Sequence, residues 1–150
     1  MRDPDTVGTD IGRLLALAHK RATNTFAHAL RDLDLDGRLF GVLSTLARIG
    51  PATQARLIVE LHSDKSVMLR AVDDLERLGL VTREPVPHDR RARVVVLTEA
   101  GHRRLVAATG IARQVSAELF GWMSDAEQNV LRDLLERFVG KDLAGRPSGD

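Results

Sequence analysis

Residues 83–104 carry arginine at positions 83, 90, 91, 93, 103 and 104, against the acids Glu84, Asp89 and Glu99. A guanidinium is permanently charged and presents a planar fork of donors, so a cluster of them suits recognition of phosphate. A second set of polar groups lies just upstream. On a helical wheel of residues 63–78, Val67, Ala71, Leu75 and Leu78 share one face and Ser66, Leu69, Arg70, Asp73 and Arg77 the other. Alone, such a face is simply solvated; beside a basic stretch it becomes a surface for a polyanion.

Other chemistries fit the residues poorly. Asp32-Leu33-Asp34-Leu35-Asp36-Gly37 imitates the opening of a calcium loop, but the twelfth position, where a bidentate Glu closes the site, is Leu43. The five histidines form no His-x-x-x-His pair, so no metal site is expected. Cysteine is absent, which excludes thiol nucleophiles, disulfides, cysteine-ligated zinc and iron–sulfur clusters. No nucleophile elbow, phosphate-binding glycine loop or dinucleotide fingerprint occurs, so neither an enzyme nor a cofactor is expected. Four phenylalanines and one tryptophan are too few for stacking single-stranded bases.

The elements that must position these groups follow from composition and period. The chain has 150 residues, 43% hydrophobic and 29% charged, with 22 basic against 21 acidic side chains. That suits one globular domain, or one domain with a dimerisation element. The longest apolar run, Leu14 to Ala18, is far too short to cross a membrane, and no secretory signal pattern opens the chain, so a cytoplasmic protein is expected. Residues 1–8 and 142–150 read as flexible polar tails.

Between them the period predicts helices, then a hairpin, then helices. The first helix runs from about Asp10, a candidate N-cap, to Leu30, and the second carries Leu39, Val42, Leu43 and Leu46 up to Gly50-Pro51. Thr53 caps a third whose buried side is Leu57, Ile58 and Leu61. A fourth starts at Ser63 or Asp64 and stops at Gly79. Leu80–Arg83 and Arg93–Leu97 are strand-like, joined across Pro85 and Pro87 by what is expected to be a protruding loop rather than a tight turn. A long helix follows from Thr98 to about Phe120. Ser124 and Glu127 form a capping box for the last helix, whose pairs Val130/Leu131, Leu134/Leu135 and Phe138/Val139 offer an apolar face broad enough for a partner chain.

A short helix, a turn, a second helix and a basic hairpin, in that order, make a winged helix-turn-helix. The runs Leu78-Gly79-Leu80-Val81-Thr82-Arg83, Asp89-Arg90-Arg91-Ala92 and Leu97-Thr98-Glu99-Ala100-Gly101 resemble the MarR family of bacterial transcriptional regulators. Gly50-Pro51-Ala52-Thr53-Gln54-Ala55 and Asp64-Lys65-Ser66 with Arg70 are similar to its helix-turn-helix. The resemblance implies a mainly α fold with a small two-stranded β-wing. Residues 37–97 would be the DNA-binding domain, and 9–36 and 98–141 the helices of a homodimer. Its partner would be double-stranded DNA carrying a pseudo-palindromic operator. By the same resemblance Arg91 enters the minor groove and Asp89 orients it, Ser66 and Arg70 face base edges, and Lys65 reaches a phosphate. Leu69 is placed to touch a thymine methyl, and Arg77, His88, Arg90 and Arg93 complete the DNA-facing set. A small aromatic acid relieving repression is the implied ligand, with His19, His28, Phe40 and Arg48 its candidates by position. The alternatives are a winged-helix regulator that ignores ligands and a helical interaction module whose basic wing meets an acidic protein.

Overall fold

The computed structural model describes residues 4–140. Its elements are α1 (Pro4–Leu30), a 3-10 turn (Arg31–Leu33), α2 (Gly37–Ile49), α3 (Gln54–Leu61), α4 (Lys65–Arg77), β1 (Val81–Val86), β2 (Asp89–Leu97), α5 (Glu99–Phe120) and α6 (Asp125–Gly140). The chain divides into two compact units, Met1–Val115 and Ser116–Asp150, with the boundary inside α5.

In the first unit α2, α3 and α4 turn their apolar stripes onto one core, while the apolar residues Val7, Ile11, Leu14 and Leu17 of α1 stand exposed. Leu43 of α2, Leu57 of α3, Met68, Ala71, Val72 and Leu75 of α4, and Leu80, Val81 and Val95 beside and within the hairpin are all nearly inaccessible. Burial of each large side chain stabilises by about 1.5–3 kcal/mol. The expected inward face of the fourth helix is shifted: Met68 and Val72 are buried, while Val67 and Leu78 are half-buried at the margins of the stripe.

Helix ends are set by side chains. Asp36 accepts from the Leu39 N–H (2.9 Å) at the start of α2, so the last acid of the calcium-like run works as an N-cap. Thr53 accepts from the Arg56 N–H (3.2 Å) and opens α3, as its position predicts. At the end of α4, Gly79 takes φ +72° while Leu80 N–H donates to Leu75 C=O and Gly79 N–H to Glu76 C=O, the paired bonds of a Schellman stop. The start of α1 departs from expectation. Asp10 lies inside the helix, which begins at Pro4, a residue suited to the first helical position because its missing N–H has no partner to lose there. Residues 4–8 are therefore helical rather than part of a tail; residues 1–3 and 141–150 lie outside the described set.

The hairpin also corrects the sequence reading. β1 and β2 are antiparallel and extend to Val86↔Asp89, leaving Pro87-His88 as a tight two-residue turn. His88 adopts φ +71°, which closes it. β1 is paired on one side alone, and an edge strand tolerates Pro85. The irregularity falls elsewhere: Pro85 faces Arg93 and Val86 faces Asp89, so Arg90, Arg91 and Ala92 bulge from β2. Ala52 exchanges backbone bonds with Val95 (2.7 and 3.2 Å), tying the segment before α3 to the hairpin.

Thr98 joins the hairpin to α5. Its hydroxyl donates to Gly79 C=O (2.7 Å) and accepts from Gly101 N–H (3.0 Å). Gly101 is required by closeness, since a Cβ there would stand 2.1 Å from the Leu80 carbonyl oxygen. In the second unit the capping box forms as predicted. Ser124 N–H donates to the Glu127 carboxylate (2.8 Å) and Glu127 N–H to the Ser124 hydroxyl (3.3 Å). No residue of α6 is buried, and Val130, Leu131, Leu134, Leu135, Phe138 and Val139 all stand exposed.

Candidate nucleic-acid interface

Helix α4 buries Met68, Ala71, Val72 and Leu75, which fixes the direction of its remaining side chains. Lys65, Ser66, Leu69 and Arg70 are exposed along its N-terminal half, Leu69 at 45%. Neither Lys65 nor Arg70 has a hydrogen-bond or ion-pair partner among the described residues. The side chain of Asp64, at the N-cap, makes no capping bond, unlike Asp36, Thr53, Thr98 and Ser124 at the other helices. Among the described residues no side chain therefore claims the first-turn N–H groups of α4, donors of the kind that suit a phosphate oxygen. Arg77, at the last position of the helix, is instead paired with Asp74 (2.6 Å).

The wing sorts its arginines by position. At the base, Arg83 bonds Asp73 (2.6 Å) and Glu76 (2.8 Å) of α4 and Gln54 (3.2 Å) of α3. Further along, Arg93 donates to the carbonyls of Arg90 (2.9 Å) and Ala92 (3.1 Å), closing the bulge. Past the wing, Arg103 pairs with Glu99, and Arg104 with the Leu33 carbonyl and Asp34. Arg90 and Arg91 are left exposed, their guanidinium groups unpartnered among the described residues. Arg83, Arg103 and Arg104 are thus paired with acids of the fold, Arg93 is tied to backbone carbonyls, and the two guanidinium groups of the stretch left without partners among the described residues sit at the tip.

Asp89, expected to orient Arg91, acts on its backbone. Its carboxylate accepts from the backbone N–H groups of Arg91 (3.0 Å) and Ala92 (3.3 Å). It holds the backbone that carries Arg91 and does not grip the guanidinium. His88 is exposed at the turn itself.

Two ion-pair clusters brace the helices behind this surface. Asp74 takes a hydrogen bond from Arg38 (2.9 Å) of α2, and that bond, with the charge of Arg77, holds its carboxyl below the usual range. Glu60 of α3 is bonded by Arg48 (2.8 Å) and Arg56 (2.6 Å), and its carboxyl is lowered first by Arg48. Arg48 is therefore engaged by an acid of its own chain. Of the other candidate ligand residues, His19 and His28 stand exposed on α1 and Phe40 packs half-buried on the core. A cavity of about 210 Å³ between α2 and the start of α4 is bounded by Gly41, Val42, Leu61, Val67, Met68 and Ala71, and none of the four candidates lines it.

Arg83 and Gln54 are the residues sequence reasoning missed. The available signal was the pair Asp73 and Glu76, three apart on the outward face of the fourth helix, needing a cation from elsewhere.

Three helices closed by a two-stranded wing, with an outward polar helix and a cationic tip, define a winged helix-turn-helix protein. The sequence model of the MarR family matches residues 33–92. The repressor NicR of Pseudomonas putida is 33% identical over 93% of this chain and 88% of its own length. Among solved structures, Bordetella bronchiseptica BpsR, described with regulation of its DNA binding by 6-hydroxynicotinic acid, aligns with a TM-score of 0.83. It is 25% identical and covers 88% of this chain and 94% of its own. A mutant of Escherichia coli MarR in complex with operator DNA aligns at a TM-score of 0.81, 25% identical, over 91% and 99% of the two chains. The chain belongs to the MarR family and is a winged helix-turn-helix transcriptional regulator.

Proposed function

We propose that two copies of this chain bind a pseudo-palindromic operator and repress transcription until a small organic ligand weakens the complex. One observation carries the reading: on the two elements that a winged helix-turn-helix lays on duplex DNA, Lys65 and Arg70 of α4 and Arg90 and Arg91 at the wing tip are exposed and unpaired among the described residues. In this reading α4 enters the major groove, with Lys65 on phosphate and Ser66, Leu69 and Arg70 on base edges. Arg91, its backbone held by Asp89, enters the minor groove, where width and potential matter more than base identity. Arg90 and His88 flank it on the backbone. Arg77 and Arg93 act indirectly through the partners described above.

Two-fold binding requires a second chain, and the exposed apolar faces of α1 (Val7, Ile11, Leu14, Leu17) and α6 supply surface for one. Residues 9–36 and 98–141 are the dimerisation helices of this reading, and 37–97 its DNA-binding domain. No described helix is long and apolar enough to cross a membrane. Action on an operator makes the cytoplasm the site of work in this reading. The regulation of BpsR by 6-hydroxynicotinic acid supports an aromatic acid as the ligand class. The reading takes the chain as a binding protein and assigns it no catalytic step.

A mobility shift tests the proposal, using duplexes recovered from a randomised pool by the protein itself. Binding of a recovered duplex that is tight, symmetric in footprint and weakened by salt is expected. Equal, weak retention of recovered and scrambled duplexes would remove operator recognition.

A further inference from the structure

We infer that Arg83 is a positioning residue that fixes the wing against the recognition helix and sets the register in which both elements meet DNA, without itself touching DNA. The inference rests on the DNA-binding reading above. The hairpin leaves the core through Val81 and has one long strand edge to itself, so its sideways angle needs a restraint beyond the apolar contacts at its base. Arg83 supplies it. Its side chain is about three-quarters covered, at 24% exposure. Its guanidinium spans two other elements at once, reaching Asp73 and Glu76 on α4 and the Gln54 side-chain oxygen at the first residue of α3. All these acceptors lie off β1, so each bond resists rotation of the wing relative to the helix-turn-helix. Ala52, two residues before Gln54, is tied to Val95 on the neighbouring strand, so the two restraints act on both strands near one level.

Electrostatics point the same way. Asp73 and Glu76 sit on the exposed side of the helix that carries Arg70, where bare carboxylates would repel phosphate. With Arg83 seated between them, the local charge falls from two negatives to one, and four of the five guanidinium N–H bonds are directed at acceptors within the fold. Lysine cannot replace it: an ammonium is a single point, and these acceptors lie in divergent directions.

The test compares the full chain with Arg83→Met/Glu76→Gln, which removes the restraint but keeps the local charge at one negative, and with the milder Arg83→Lys. Each is titrated in salt against a duplex recovered from a randomised pool by the unaltered protein and against a scrambled duplex. Retained thermal melting of each variant is followed in parallel. The expected result is a loss of roughly tenfold or more on the recovered duplex, little change on the scrambled one and an unchanged salt slope on both, with Arg83→Lys falling between. Faster hydrogen exchange of the hairpin amides, with α2 and α4 amides unaltered, is expected in the DNA-free variants. If the slope drops by about one per half-site, Arg83 is a phosphate contact and the inference is overturned. It is equally overturned if Arg83→Lys binds the recovered duplex as the unaltered protein does. Failure of the unaltered protein to prefer any recovered duplex would instead remove the DNA-binding reading.

Discussion

Helices α4 and α6 are both amphipathic and of similar length, yet they display opposite faces. In α4 the buried apolar residues are covered by the chain's own α2, α3 and hairpin, and what remains outside is polar or charged apart from Leu69. In α6 the apolar residues are the ones left outside, with none of the helix buried. The same sequence period therefore marks a finished core in one place and an unfinished interface in the other. Apolar area on α6 suits a partner of its own kind, joined by the hydrophobic effect and tolerant of salt. The surface of α4 suits a polyanion and should be sensitive to salt.

The largest expected effect follows from removing the unfinished side. Deleting residues 124–150 takes away six large apolar side chains, each worth about 1.5–3 kcal/mol when buried. The shortened chain should be monomeric or unfolded by sedimentation; a soluble truncated dimer would break the contrast between the two helices. Next comes Leu75→Ala in α4, where a fully buried side chain is lost. A cost of about 2–5 kcal/mol is expected in denaturant titration, with the dimer intact wherever the protein stays folded. Arg70→Ala should leave stability alone, since the side chain has no partner among the described residues. It should cost about 1–3 kcal/mol on the operator and relax preference at one base position, readable by competition among single-base variants.

A smaller effect concerns pH. Arg38 and Arg77 hold the Asp74 carboxyl low, and Arg48 and Arg56 hold Glu60 low. A carboxyl depressed in the folded state adds stability above its unfolded pKa, and that stability is lost as pH falls through the folded one. Asp74→Asn and Glu60→Gln should therefore lower the melting midpoint slightly near neutral pH, and the difference should vanish in acid below the usual carboxylate range. A difference that grows on acidification would contradict the assigned cause.

Much of this was legible in the sequence because it rests on local chemistry. The caps at Thr53, Ser124 and Glu127, the stop at Gly79 and the order of elements each depend on a few neighbouring residues. What was not legible depends on distant pairing. Pro85 reads as a loop residue until β1 is known to be an edge strand. Arg83 counts as one more positive charge until α4 brings Asp73 and Glu76 beneath it. Asp89 reads as a partner for a guanidinium until the bulge turns the N–H groups of Arg91 and Ala92 toward it. Position along the chain likewise suggested Arg48 for a ligand, and only the fold pairs it with Glu60.

The central claim is that within α4 and the basic stretch of residues 83–104 the charge left unpaired by the fold, rather than every charge in the sequence, marks the DNA surface. Its most direct measurement is a salt titration of operator and scrambled duplex with Arg91→Ala beside Arg103→Ala, since both remove one arginine from the same basic stretch. Arg91 is unpaired at the wing tip among the described residues, while Arg103 is paired with Glu99. Arg91→Ala should weaken binding to both duplexes, most where A·T pairs flank the site, and lower the slope by about 0.9 for every phosphate no longer neutralised in each half-site. Arg103→Ala should leave affinity and slope unchanged. Equal losses from the two substitutions, or none from Arg91→Ala, would contradict it.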